Sequence, residues 1–312
     1  LFGRTFCAGV CPLGAMQDIV VLNPLRLPPA LLHSLGMIPY LYLGLVVLYV
    51  FTGAGYMICR YEPFVPLYRL SGSTGMLWTG AAFLVIGIWV ARPYCRFLCP
   101  YGVLLKWTSR FSRSHAAITP AECVRCRLCE NSCPFGAILP PFSPEGEESL
   151  SSGRSRLWKL LVALPLLTLF GALAGSLLET PLSLAHPTVR LADQVFRVDA
   201  GQAMEETLPS EVFRESEVPA SVLYNEAADL KKSFGRGGIL LGAFTGLLFG
   251  SKLIGLSLRR RREDYEPDRG TCLSCARCFE TCPIDHVHRH GHPGEYADLL
   301  AKLETRDKDE RP

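Results

Sequence analysis

The chain lacks a strong charge of either sign: 32 Lys and Arg against 29 Asp and Glu leave a formal net charge of +3 over 312 residues. So small an excess provides no basic field for phosphate, which sets a nucleic-acid partner aside. A targeting segment is also lacking. Residue 1 is leucine and a cysteine motif follows within a few residues, so a missing N-terminal part is the expectation. Nor are cysteines scattered as in a disulfide-stapled secreted domain. Twelve of the 13 fall into tight runs with metal-ligand spacing, which reads as reduced, metal-bound thiolates.

Charge is scarcest in four long stretches, Met37–Met57, Gly75–Val90, Leu160–Leu178 and Gly237–Leu258. Each reaches or approaches the ~20 residues that a helix needs to cross the hydrocarbon core. The second is the shortest, and uncharged Ser71–Thr74 and Ala91 lengthen it. Lys252 lies near the end of the fourth, where it can snorkel, and Pro165 or Gly171 need not end the third. The run Arg259, Arg260, Arg261, Arg262 marks the cytoplasmic side. Counting back, residues 1–35, 92–156 and 259–312 are cytoplasmic, 36–91 holds a transmembrane helix pair, and 157–178 and 237–258 are single transmembrane helices. Residues 179–236 form an acid-rich outer loop. All twelve clustered cysteines then share one face.

The first decisive motif is Cys123-x2-Cys126-x2-Cys129-x3-Cys133-Pro134, and the second is Cys272-x2-Cys275-x2-Cys278-x3-Cys282-Pro283. In this bacterial ferredoxin spacing three close thiolates take three irons of one cubane and the fourth cysteine reaches the other cluster. Cys123, Cys126, Cys129 and Cys282 are therefore expected to hold one [4Fe-4S] cluster, and Cys272, Cys275, Cys278 and Cys133 a second. Zinc knuckles seldom show three evenly spaced cysteines with a fourth before proline. Phe135, Gly136, Ala137, Ile138 and Ile284 follow the fourth cysteines and are expected to cover the clusters. Arg125, Arg127 and Arg277 are read as solvated charges.

A second pair of motifs is an internal repeat, Arg4-Thr5-Phe6-Cys7-x3-Cys11-Pro12-x-Gly14 and Arg92-Pro93-Tyr94-Cys95-x3-Cys99-Pro100-x-Gly102. Cysteines at i and i+4 share a helix face, so Cys7, Cys11, Cys95 and Cys99 can converge on a further metal or iron–sulfur centre. A redox-active dithiol and packed thiols at helix ends are the competing readings.

With the two Cys-x3-Cys-Pro runs, the interposed helix pair and the ferredoxin runs, the chain resembles the NosR/NapH-type membrane polyferredoxins over nearly all its length. The expected fold is mainly α: a polytopic helical membrane protein with a cytoplasmic 2[4Fe-4S] ferredoxin-like module assembled from two separated segments. The resemblance implies a bacterial inner-membrane subunit passing electrons between a quinol/quinone or flavin partner and a respiratory reductase system, rather than a stand-alone enzyme. The flavin-binding domain of the NosR branch is not in this sequence, and the two ferredoxin runs are separated by helices. The alternative is a redox-sensing or metallo-oxidase assembly factor using the Cys-x3-Cys-Pro thiols.

Other features are weaker. Cys59 stands alone and reads as a packing thiol. His286, His288, His290 and His292 read as a solvated tail before a metal site. Ser71-Gly72-Ser73-Thr74 reads as a helix cap rather than a flavin-attachment sequence. Val195, Phe196, Val212 and Phe213 suffice for a small cap or docking surface in the outer loop, which carries no nucleophile–base set or phosphate loop.

Overall fold

The computed structural model describes residues 4–22, 24–25, 27–55, 62–69, 72–113, 116–118, 123–142, 150–201, 207–216, 218–258, 262, 264–291, 294, 297–298 and 301. Cys59, His292 and Arg259 to Arg261 lie outside them. Helices dominate: α1 (Thr5–Gly9), α2 (Pro12–Ile19), α3 (Pro29–Leu35), α4 (Ile38–Phe51), α5 (Val65–Arg69), α6 (Thr74–Gly87), α7 (Pro93–Phe97), α8 (Pro100–Arg110) and α9 (Leu128–Ser132). There follow α10 (Leu150–Leu177), α11 (Glu179–Ser183), α12 (Pro187–Asp199), α13 (Leu208–Glu215), α14 (Ala220–Ser257), α15 (Arg277–Glu280) and α16 (Pro283–His290). Strands β1 (Ile138–Leu139) and β2 (Glu266–Pro267) pair antiparallel.

The chain divides into two compact units, one of Leu1–Tyr40, Pro63–Glu147 and Arg260–Pro312, the other of Leu41–Glu62 and Glu148–Arg259. The second unit is built on the antiparallel pair α10 and α14. A methyl group at Gly171 or Gly242 would overlap the other's carbonyl, and Gly175 and Gly238 face one another in the same way. Only glycine lets two backbones approach so closely in an apolar setting. At one end of the pair Arg156 Nε donates to Ser257 Oγ at 2.9 Å, so the start of α10 and the end of α14 lie side by side. Tyr49 of α4 packs edge-on against Phe234 of α14 at 5.8 Å.

Among the described residues three helices are long and apolar enough to cross a membrane: Pro29–Phe51, Ser151–Leu177 and Ala220–Ser257. Four spans are expected from composition, and the difference lies in the second. Helix α6 has 14 residues, about 21 Å at the helical rise, because Ile88 and Trp89 leave the helix as a turn and Arg92 adopts φ +49°. Ser73 caps its start by accepting from Met76 N. The segment expected as a loop over residues 179–236 also differs, since Ala220 begins a helix of 38 residues, about 57 Å long and well beyond a ~30 Å core. Val189, Ala192 and Val195 of α12 bury against Leu223 and Ala227 of this extension, and Phe213 packs on the same cluster. Phe196 and Val212 stay exposed.

The first unit joins stretches far apart in sequence. Beyond β1 and β2, Phe142 bridges to Arg262, and Asp268 N donates to Ala137 O at 2.8 Å. Thr281 Oγ1 donates to Ser132 Oγ at 2.9 Å, joining the two residues that immediately precede the fourth cysteines of the two runs. The buried Tyr94 ring sits edge-on to both Phe64 and Phe83.

Candidate functional site

Proline after cysteine has a structural meaning here. Cys11, Cys99 and Cys282 are the N-cap residues of α2, α8 and α16, and Pro12, Pro100 and Pro283 open those helices. Proline suits the first helical position because its missing N–H would be unpaired there. Each of the three cysteines thus stands at the start of a helix. Gly14 and Gly102 complete the motif because a side chain there would press on the carbonyl of the first cysteine, at 2.6 Å for Cys7 and 3.3 Å for Cys95.

The ferredoxin runs fold alike. Arg125 and Arg127 flank Cys126 in the left-handed region, and Ser274 and Ala276 flank Cys275 in the same way. Each such residue costs about 1–2 kcal/mol, so the repeated strain is a shaped loop and not chance. Ser274 N donates to Cys272 Sγ and, in the partner run, Ala137 N donates to Cys133 Sγ, both at 3.4 Å.

Two cavities receive these sulfurs. Cys123, Cys126, Cys129, Cys278 and Cys282 line the first, with Tyr265, Ile284 and His288 on its wall. At about 80 Å³ it exceeds a single water site several-fold. Cys133, Cys272, Cys275 and Cys278 line the second, closed by Phe135, Ala137, Ile138 and Leu273. Burial pushes Cys129 up to about 11 and Cys278 up to about 12, and it also raises Cys126 and Cys272. Neighbouring thiols add to the rise, Cys282 acting on Cys126 and Cys133 acting on Cys272.

The Cys-x3-Cys-Pro repeat makes a third cavity, lined by Cys7 and Cys95 with Arg4, Arg92, Arg96, Phe135, Thr271 and Leu273. Its two copies cross. Arg92 of the second donates to Cys7 O of the first and pairs with Asp18, while Arg4 of the first stands 3.6 Å from where a Gly102 side chain would begin and donates to Gly270 O. Arg4 Nε is buried with no hydrogen-bond partner. Burial pushes Cys95 up to about 12 and raises Cys7 and Cys99, with Cys11 among the neighbours acting on all three.

Sequence reasoning missed Gln17, Asp18, Arg96 and Tyr265. For Gln17 and Asp18 a signal was present: six and seven residues past the second cysteine, the other copy carries Leu105 and Lys106. Of the arginines read as solvated, Arg125 pairs with Asp264 at 3.7 Å and Arg127 hydrogen-bonds Tyr265. The rings of His286 and His290 lie 4.6 Å apart on α16.

Among the described residues no three His, Cys, Asp or Glu side chains stand as ligands of a single metal ion. Thiolates of a cubane stand farther apart, because each binds a different iron at a corner of the cluster. Cavities walled by four or more cysteines, backbone N–H groups aimed at sulfur and an apolar lid fit that donor set.

Two family models match, each described as a 4Fe-4S binding domain, one over residues 116–139 and the other over residues 1–26 and 72–118. Protein NirI of Paracoccus denitrificans is 32% identical over 152 residues, covering 45% of this chain and 22% of NirI. The regulatory protein NosR of Stutzerimonas stutzeri is 32% identical over 154 residues, 45% of this chain and 21% of NosR. The putative electron transport protein YccM of Escherichia coli is 24% identical over 151 residues, 43% of this chain and 42% of YccM. The chain thus spans well under two thirds of the length of these curated relatives. No solved structure matches it. The matched 4Fe-4S binding domains, the similarity to NirI and NosR and the three long apolar helices support a 4Fe-4S-binding membrane protein similar to those of the NosR/NapH type.

Proposed function

We propose that the chain is a membrane-bound electron-transfer protein with two [4Fe-4S] clusters in its ferredoxin runs and a third centre in its Cys-x3-Cys-Pro repeat. The observation that carries this reading is that each cavity brings three cysteines of one run together with the fourth of the other, Cys278 lining both. Cys123, Cys126, Cys129 and Cys282 serve one cluster, Cys272, Cys275, Cys278 and Cys133 the next, and Cys7, Cys11, Cys95 and Cys99 the third. When bound, a [4Fe-4S] cluster stores and releases one electron. Phe135, Ala137 and Leu273 keep water from the sulfurs, and the N–H groups of Ala137 and Ser274 stabilise charge on them.

The electrons run between a quinol/quinone or flavin partner and a respiratory reductase system, with the cluster motifs facing the cytoplasm of a bacterial inner membrane. Supporting this are the resemblance to NosR and NirI, the electron-transport description of YccM, and the arginines crowding residues 92–156 and 259–262. Gln17, which hydrogen-bonds Cys95, brings the two Cys-x3-Cys-Pro copies together, in keeping with one side for both. The test is anaerobic purification followed by iron and acid-labile sulfide analysis and electron paramagnetic resonance. The expected result is about twelve irons per chain, four for each cubane, and interacting [4Fe-4S] signals after dithionite that a quinone analogue abolishes by reoxidation. Copper or zinc with exchangeable disulfides and no such signals would refute it and mark an assembly factor.

A further inference from the structure

The two Cys-x3-Cys-Pro copies are not equivalent in what surrounds their sulfurs. Gln17, on α2 of the first copy, is fully buried. Its Nε2 donates to Leu13 O at 3.0 Å and to Cys95 Sγ of the second copy at 3.1 Å, and its Oε1 accepts from Tyr94 N at 3.2 Å. These partners fix which way the amide points. Tyr94 N–H demands the oxygen and Leu13 C=O demands the nitrogen, so the N–H that remains is delivered to sulfur. The matching residue of the second copy, Leu105, has no hydrogen bond to give.

A buried amide with every polar group engaged is rigid, and a donor locked onto sulfur acts on whatever that sulfur holds. The N–H stabilises negative charge on Cys95. Reduction adds a negative charge, so the reduced form gains more from the bond than the oxidised form does. Asp18, the nearest carboxylate on the same helix, does not offset this, because Arg92 takes both of its oxygens. The arginines around the cavity, Arg4, Arg92 and Arg96, favour the reduced form in the same direction.

We propose that Gln17 is a positioning residue that raises the reduction potential of the centre held by Cys7, Cys11, Cys95 and Cys99, acting through Cys95 Sγ. The inference rests on the third-centre reading above. Gln17→Leu installs what the second copy already carries at this place and removes the donor. Potentiometric titration of the intact protein, followed by electron paramagnetic resonance, is expected to show one of three midpoint potentials shifted downward, the other two unmoved and the iron content unchanged. Gln17→Glu, which keeps an acceptor for Tyr94 N–H, covers a Gln17→Leu protein that does not accumulate, and it too should lower that one potential. Three unmoved potentials at full iron content would overturn the role of Gln17 alone. Only eight irons and two centres in the unmutated protein would overturn the third centre and this inference with it.

Discussion

A thiol enclosed among other thiols keeps its proton until a metal replaces it. Burial holds Cys95 and Cys278 near 12 and Cys129 near 11, against an ordinary value of about 9. Below pH 9 folded and unfolded metal-free chains both carry these protons. Between about 9 and 12 the unfolded chain releases protons that the folded chain retains, so stability falls as pH rises through that window. Thermal unfolding of metal-free protein in detergent should therefore show a transition that drops steadily from pH 8.5 to 10.5, alongside thiolate absorbance that increases on unfolding. A flat profile would contradict the burial of these sulfurs. Cluster loading carries the opposite sign, because the protons must leave, and it weakens in acid. The cysteines themselves were legible in the sequence because ligand spacing is local. The left-handed Arg125, Arg127, Ser274 and Ala276 were not, since none is glycine and the strain is imposed by the loop around the middle cysteine.

At the scale of elements, hydropathy located α4, α10 and the second half of α14, because continuous apolar runs need no partner to be recognised. It did not reveal that α14 begins at Ala220, since residues 220–236 are polar on one side and helical only by virtue of the helices packed on the other. It also overstated α6, where the apolar run outlasts the helix and ends in the buried Arg92 turn. How α10 and α14 meet follows from small residues at intervals of four, Gly171 and Gly175 against Gly238, Gly242 and Gly246. Backbone stands against backbone there, so an added side chain cannot be accommodated by rotating a neighbour. Gly242→Leu should separate the pair and lower stability by about 1–3 kcal/mol or more, read as a lower detergent melting temperature. Gly255→Leu, at a position with open space around it on the same helix, should leave melting unchanged. Equal melting of the two variants would contradict the close approach.

At the scale of the molecule, each compact unit is discontinuous in sequence, and the iron–sulfur unit draws on three stretches. Residue pairs that spacing alone could not join, such as Ser132 with Thr281 or Ala137 with Asp268, hold the two ferredoxin runs together. The spacing of each ferredoxin run is local and legible, and Cys278 lines both of the first two cavities, whereas the arginines and Gln17 around the third depend on a fold that the repeat alone does not reveal. The claim on which the rest depends is that each ferredoxin run completes the other's cluster. Replacing Cys282 by Ser and recording electron paramagnetic resonance of the reduced protein tests it most directly, with Cys275→Ser as the reference for damage to the second cluster. The account predicts that Cys282→Ser alters the signal of the cluster held by Cys123, Cys126 and Cys129 and leaves the Cys275-dependent signal intact. Loss of the same signal in both variants would contradict it.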